Sequence, residues 1–187
     1  LAAGLSTRMG GPNKLLQPYR GEPLLAHVLR VASSLSFRDC LAITGRDAEA
    51  IEALAKSFSV RCVKNERYRD GLGNSIAAGA DALERDVEGV FVVLGDMPGI
   101  DAAIYRRLMN VYRPGAIVLP VYKESRGHPV LFCSSYRREL AGLSGDEGAR
   151  SILKRNAGAV LEIKTENAGV LRDLDVPADF ERGEPSH

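Results

Sequence analysis

The sequence predicts an α/β fold, a three-layer α/β/α sandwich around a mostly parallel sheet. Three observations support this prediction: short apolar runs typical of buried strands, stretches with helical periodicity, and regular alternation of the two along the chain. The chain has 187 residues, 45% of them hydrophobic and 26% charged, which is an ordinary composition for a globular protein with a full core.

The first half of the chain alternates helices with strands. Residues 23–35 place apolar side chains on one helical face, and Pro23 is well tolerated in a first helical turn. Strands are predicted at residues 40–44 and 60–63, with a second helix between them for which Asp47 is the expected N-cap.

The second half continues this alternation. In chain order we expect a helix at 73–83, a strand at 89–94, a helix capped by Asp101, a strand at 116–121, an apolar run at 130–132, a helix at 147–155 and a strand at 160–163. The continuous β-branched run at 89–94 predicts a central strand.

The organisation along the chain is simple. Internal repeats and linker-like tracts are lacking, so the sequence predicts one domain over residues 1–180 and a flexible tail at 181–187. The opening residues, Leu1 to Ala3, have the character of the end of a buried strand, so we expect an N-terminal strand truncated in this sequence.

Composition excludes several classes of partner. Twenty-five basic and 24 acidic side chains give a formal net charge of +1, so no global field attracts nucleic acid or an anionic membrane. Cys40, Cys62 and Cys133 are an odd number without C-x-x-C spacing, which predicts reduced, buried cysteines rather than disulfides or a zinc site. No apolar run is long enough to span a membrane and no leader is evident, so a cytoplasmic location is expected.

The first fourteen residues combine small residues, glycines and two cations, Arg8 and Lys14. Glycines let backbone N–H groups approach phosphate oxygens, and the cations supply fixed positive charge. A Walker loop is excluded because Met9 stands five residues after Gly4 and Leu15 follows Lys14. The pattern nevertheless predicts a nucleoside triphosphate site.

A carboxylate follows the predicted central strand. Asp96 comes after Gly95 at the carboxyl end of that strand, where ligands bind in α/β sheets. Magnesium takes oxygen ligands, usually from one or two carboxylates, so Asp96 is a candidate Mg²⁺ ligand. The alternative is that Asp96 only caps the next helix or pairs with a surface cation, although Asp101 is the better cap.

A second acidic cluster lies at residues 173–179. Asp175 is the member that we favour as a metal ligand. The competing interpretation is a solvated patch of charge ahead of a short final helix.

Two further segments in the second half of the chain contain candidate polar residues. Gly127 and His128 form a polar turn, in which a histidine commonly only bonds the backbone. Residues 145–150 surround a predicted helix start and either bind a polar substrate or merely cap the helix.

Asn65 and Ser75 flank a second glycine turn. Their side chains are suited to a nucleobase or ribose, or alternatively to an N-cap. This turn does not match a dinucleotide fingerprint, because Ile76 stands where that motif needs its third glycine.

The opening pattern L-A-A-G-x-S-x-R-M-G-x-x-N-K resembles the signature of the MobA-like nucleotidyltransferases, specifically the molybdenum cofactor cytidylyltransferase branch, whose leading motif is LAAG. The resemblance extends in matching order through the motifs described above. It implies a Rossmann-like, GT-A-like nucleotidyltransferase domain. The implied reaction is transfer of CMP from CTP to the terminal phosphate of the molybdopterin cofactor, releasing pyrophosphate.

The resemblance also implies roles for individual residues. Arg8 and Lys14 would hold the triphosphate and act in catalysis with Asp96, which would bind Mg²⁺ together with Asp175. The nucleotide-binding residues would be Leu1, Ala2, Ala3, Gly4, Ser6, Arg8, Lys14, Asn65 and Ser75, and the substrate-binding residues Gly127, His128, Asp146 and Arg150. Ala3 matches the cytidylyl form of the motif, since related guanylyltransferases have LAGG.

Two alternatives stay open at the level of sequence. The acceptor could be a sugar phosphate or another small phosphate, because the same loop and metal serve any such acceptor. The protein could instead be a maturation chaperone that binds the pterin cofactor and delivers it to an apo-molybdoenzyme, which is a further expected partner.

Overall fold

The computed structural model describes residues 1–4, 13–84 and 86–175. Within these residues the strands are β1 (Pro18–Tyr19), β2 (Glu22–Pro23), β3 (Leu41–Thr44), β4 (Arg61–Lys64), β5 (Gly89–Val92), β6 (Ile117–Tyr122), β7 (Ser125–Arg126), β8 (Val130–Cys133) and β9 (Val160–Lys164). The α-helices are α1 (Leu24–Ser33), α2 (Ala48–Lys56), α3 (Leu72–Ala82), α4 (Ala102–Val111), α5 (Arg137–Ala141) and α6 (Arg150–Arg155).

The opening residues join two groups of strands. Ala2 forms a parallel bridge with Thr44 at the end of β3, and β3 pairs in parallel with β4. On the other side, the backbone nitrogen of Leu1 donates to the carbonyl of Val93 at 2.6 Å, and Gly95 N–H donates to the carbonyl of Leu1 at 3.0 Å. These bonds place the first residues between β3 and the segment that follows β5.

Strands β5 to β9 form a mixed sheet, whereas β1 and β2 form a separate antiparallel pair. β8 runs antiparallel to both β5 and β6, whereas β6 and β9 are parallel. The α/β class is therefore confirmed, but the parallel arrangement does not extend to β8. The reason is the short connection from β6 through the β6–β7 hairpin, since a parallel return needs a crossover of a dozen or more residues.

Helices cover both faces of the sheet. Ala42 on β3 and Val118 on β6 face the layer that contains α1, α2 and α4. Ile117 and Leu119 face the opposite layer, with α3, α5 and α6. This alternation along β6 is the period of two expected of a strand buried on both faces, and it gives the predicted three layers.

The helix boundaries partly follow the predictions. Asp101 caps α4, because its Oδ1 accepts a hydrogen bond from the N–H of Ile104 at 3.0 Å. Asp47 is the N-cap residue of α2, as predicted, but it adopts a left-handed conformation with φ of 55° and makes no side-chain cap bond to the helix. The helix predicted from residue 147 starts only at Arg150, after a turn in which Gly145 has a φ of 58°.

The three cysteines are free thiols, of which Cys133 is buried while Cys40 and Cys62 are partly exposed. Among the described residues, no helix combines the length and the apolar character needed to cross a membrane.

Candidate active site

Lys14 lies at the centre of a cluster of charged side chains. It begins a short 3₁₀ helix, Lys14–Leu16, whose N-cap is Asn13, and Asn13 Oδ1 accepts a hydrogen bond from Leu15 N–H at 3.1 Å. Lys14 Nζ donates to Asp96 Oδ2 at 2.7 Å and to Asp175 Oδ1 at 2.5 Å. Three residues that the sequence analysis selected from distant motifs are thus in direct contact.

The electrostatics of the cluster keep Lys14 charged. Burial by itself lowers the pKa of Lys14, because it disfavours the ammonium, but the carboxylates of Asp96 and Asp175 outweigh this effect. The pKa of Lys14 is therefore raised above its ordinary value. The ammonium is a permanent cation over the physiological pH range.

Asp96 is held in place from both sides. The preceding Gly95 packs so tightly that a Cβ there would lie 2.8 Å from the carbonyl oxygen of Leu1. The carbonyl of Asp96 accepts a hydrogen bond from Leu174 N–H at 3.0 Å, which ties the C-terminal acidic segment to it. Asp96 Oδ1 is buried without a hydrogen-bond partner among the described residues. Because Asp101 caps α4, the helix-cap interpretation of Asp96 is wrong.

The cluster has the composition of a site for a hard divalent cation. Carboxylate oxygens of Asp96, Asp173 and Asp175 all lie within 4.8 Å of one another. Magnesium and manganese favour such oxygen ligands, and Asp96 Oδ1, which lacks a partner within the described part of the chain, is available to accept one. Asp173, which was not predicted from the sequence, belongs to this group, and only the buried Leu174 separates it from Asp175.

A cavity of about 170 Å³ opens beside the cluster. Its lining includes six of the residues selected from the sequence: Leu1, Ala3, Gly4, Lys14, Ser75 and Asp96. The remaining lining residues are Leu15, Leu72 and Leu94. One side of the cavity is thus apolar and the other carries an ammonium and a carboxylate.

Asn65 and Ser75 form a buried pair. Asn65 Nδ2 donates to Ser75 Oγ at 3.0 Å, and Asn65 Oδ1 accepts from Arg67 N–H at 2.9 Å. Neither residue is the N-cap of α3, which is Gly71. Ser75 lines the cavity, whereas Asn65 does not line it and only hydrogen-bonds to Ser75.

Two glycine-rich turns meet at the rim of the cavity. Gly71 has a φ of 112°, and a Cβ on it would lie 2.2 Å from the carbonyl oxygen of Gly145. Gly73 N–H donates to that same carbonyl at 2.8 Å. Between them Leu72 is 43% exposed and borders the cavity, so an apolar side chain is presented to solvent at the rim.

Asp146, the residue after Gly145, also contacts this turn: its backbone nitrogen lies close to Gly71. It does not cap α6, whose N-cap is Ala149 and lacks a side-chain cap bond. Arg150, the first residue of α6, is exposed, and its charge acts on the ring of His128. The interpretation of this segment as a capped helix start is therefore wrong.

His128 is partly buried, and the charge of Asp96 acts on its ring. Burial lowers the pKa of His128, the charge of Asp96 opposes that shift, and the charge of Arg150 adds to it. The backbone of Val92 at the end of β5 also opposes the lowering of this pKa, and Nδ1 is buried without a partner among the described residues. The turn is fixed by Gly127 N–H, which donates to the carbonyl of Pro120 at 2.8 Å.

Two of the selected residues, Ser6 and Arg8, lie outside the described residues, as does the tail predicted at 181–187.

Comparison with known proteins gives concordant results. The model of the MobA-like NTP transferase domain matches residues 1–160. Nicotine blue oxidoreductase from Paenarthrobacter nicotinovorans is 31% identical over 183 residues, covering 94% of this chain and 89% of that protein. Molybdenum cofactor cytidylyltransferase from Escherichia coli strain K12 is 30% identical over 179 residues, with coverages of 96% and 90%.

Among solved structures, Rv0371C from Mycobacterium tuberculosis H37Rv, in complex with manganese, superposes with a TM-score of 0.81. The sequence identity is 28%, and the match covers 97% of this chain and 93% of that one.

Proposed function

Because this chain belongs to the MobA-like NTP transferase family, we propose that it is a cytidylyltransferase that transfers CMP from CTP to the terminal phosphate of a molybdopterin-type cofactor. The observation that carries this proposal is the contact of Lys14 with Asp96 and Asp175 beside the cavity lined by Ala3 and Gly4. Similarity to the cytidylyltransferase of E. coli supports the choice of substrates.

The reaction requires little covalent participation from side chains. A phosphate oxygen of the acceptor attacks the α-phosphorus of CTP, the bond from that phosphorus to the bridging oxygen breaks, and pyrophosphate leaves with the electron pair. The acceptor phosphate is already ionised near pH 7, with a second pKa of about 6, so no general base is needed. Catalysis then depends on alignment and on neutralising the leaving group.

Lys14 supplies one positive charge for the triphosphate, and Arg8 is proposed to supply another. A divalent ion, either Mg²⁺ or Mn²⁺, would be held by Asp96 and Asp175 with Asp173, and when bound it supplies Lewis-acid stabilisation of phosphate charge. Manganese in the related Rv0371C structure supports a divalent ion in this fold.

The nucleotide and the acceptor are assigned to different sides of the cluster. We propose that Leu1, Ala2, Ala3 and Gly4 face the base, with Ser75, supported by Asn65, opposite, and that Ser6 also binds the nucleotide. The acceptor is assigned to the side of Gly127, His128, Asp146 and Arg150, where the exposed Arg150 guanidinium provides charge for a phosphate. The location proposed for this reaction is the cytoplasm.

A different activity has its own support, because the chain is as similar to a protein named nicotine blue oxidoreductase as to the cytidylyltransferase. Family membership alone therefore does not select the substrate. The cluster of one ammonium and three carboxylates favours nucleotidyl transfer, since these groups match a metal-bound triphosphate.

The test measures pyrophosphate release for each combination of a nucleotide with an acceptor. CTP, GTP and ATP are each combined with molybdopterin or with sugar phosphates at millimolar Mg²⁺. The proposal predicts release with CTP and molybdopterin. Release only with a sugar phosphate would transfer the activity to that acceptor class. Pterin binding that survives Asp96→Asn without any pyrophosphate would instead support a delivery chaperone.

A further inference from the structure

The ammonium of Lys14 occupies the space between two carboxylates that are also the candidate metal ligands. Its Nζ lies 2.7 Å from Asp96 Oδ2 and 2.5 Å from Asp175 Oδ1. We propose that Lys14 couples metal binding to nucleotide binding: its ammonium competes with a divalent cation for these oxygens until a triphosphate draws the ammonium away, so metal and nucleotide bind together. This inference rests on the proposed function.

The competition follows from charge and burial. The side chain of Lys14 is 11% exposed, and those of Asp96 and Asp175 are 20% and 30% exposed, so water screens their interactions only in part. A cation that enters between the carboxylates meets an ammonium of like charge within a few ångströms, and each oxygen bonded to Nζ is less available as a ligand. Bare metal ion should therefore bind weakly.

The triphosphate provides the means of release. Lys14 carries its charge on a flexible four-carbon stem, so the ammonium can move without movement of the backbone. The backbone beneath it is fixed, because Asn13 caps the short helix and Leu15 is buried. The stem also lines the cavity assigned to the nucleotide, so phosphate oxygens there can exchange with carboxylate oxygens as partners of Nζ.

The cluster still attracts a divalent ion overall. Three carboxylates and one ammonium carry a formal charge of −2. When the ammonium moves towards a phosphate, the metal ligands that remain carry a formal charge of −3. A nucleotide that binds Lys14 therefore strengthens the metal site, and by linkage the metal strengthens nucleotide binding equally.

The experiment measures metal affinity in the absence of nucleotide. Mn²⁺ is titrated calorimetrically into the wild-type protein, into Lys14→Met and Lys14→Gln, which lack the charge, and into Lys14→Arg, which retains it. We expect the two uncharged variants to bind Mn²⁺ about tenfold or more tightly than the wild type, with Lys14→Arg staying near the wild type. Two uncharged variants keep the test decisive if one of them fails to fold.

A second measurement needs no substitution. Lysine-selective ¹⁵N NMR of the wild type should show the Lys14 Nζ signal shift when Mg²⁺ and CTP are added together, and shift far less with the same Mg²⁺ alone. Uncharged variants that bind Mn²⁺ no more tightly than the wild type would overturn the inference. Failure of the proposed function looks different: wild-type protein with Mn²⁺ would bind none of CTP, GTP or ATP.

Discussion

The carbonyl of Gly145 accepts a hydrogen bond of 2.8 Å from the backbone N–H of Gly73, and this bond closes the rim of the candidate active site. The neighbouring Gly71 approaches the same carbonyl so closely that a Cβ would lie 2.2 Å from its oxygen. Two loops far apart in sequence thereby hold Leu72 and Ser75 at the cavity.

This contact predicts that Gly71→Ala is strongly destabilising. Gly71 has a φ of 112°, and the added methyl group would meet backbone that cannot move aside. We expect the free energy of unfolding to fall by about 3 kcal/mol or more. Gly115→Ala is the matched control, because Gly115 also has a positive φ, 80°, but open space around its Cβ position, so it should cost only about 1 kcal/mol. Equal costs in denaturant unfolding would contradict this account.

Neutralising the carboxylates should lower turnover, by an amount that differs from one carboxylate to another. Asp96→Asn and Asp175→Asn each remove a charge that contacts Lys14 and faces the metal site, so we expect turnover to fall by about a hundredfold or more. Asp173→Asn should cost less, because Asp173 is exposed. Pyrophosphate release measures the effect, and near wild-type rates in Asp96→Asn would exclude the proposed role of this residue.

Stability should fall in acid partly because of His128. Burial lowers the pKa of His128 in the folded protein below its ordinary value of 6.5. Between those two pKa values the unfolded chain binds the extra proton, so the folded state loses stability as the pH falls through and below 6.5. His128→Gln should therefore flatten the decline in unfolding free energy between neutral pH and pH 5. A variant profile parallel to that of the wild type would contradict the shift.

The buried pair of Asn65 and Ser75 should be coupled energetically. Ser75→Ala removes the oxygen that accepts from Asn65 Nδ2 and leaves that amide unpaired, at a cost of about 1–3 kcal/mol of stability. A double-mutant cycle with Asn65→Ala should give a coupling energy of about 1 kcal/mol. Strict additivity of the two single changes would show that the bond contributes nothing.

The sequence predicted the alternation of elements because each element carries its own period. Val118 and Ile117 alternate between the two helical layers as the apolar strand pattern required. The antiparallel direction of β8 was not predicted, because direction depends on the length of the connection and not on residues 130–132 themselves. Helix α5 was missed because five residues are too few for a periodic pattern.

The candidate site likewise contains residues that the sequence could predict and contacts that it could not. Asp96 was found from a local signal, a carboxylate at the end of an apolar strand. Asp173 carried a weaker signal that was available, because it belongs to the same acidic cluster as Asp175 and only Leu174 separates the two. The contact of Gly71 with Gly145 had no signal in one sequence, because only the tertiary fold brings these turns together.

The most direct test of the central claim is calorimetric titration of CTP into the wild-type protein and into Asp96→Asn, each with and without Mg²⁺. The account predicts saturable binding by the wild type that is strengthened by Mg²⁺, and loss of that strengthening in the variant. CTP binding that is the same in all four titrations, or absent from all of them, would contradict the assignment of the Lys14, Asp96 and Asp175 cluster to a metal-bound triphosphate.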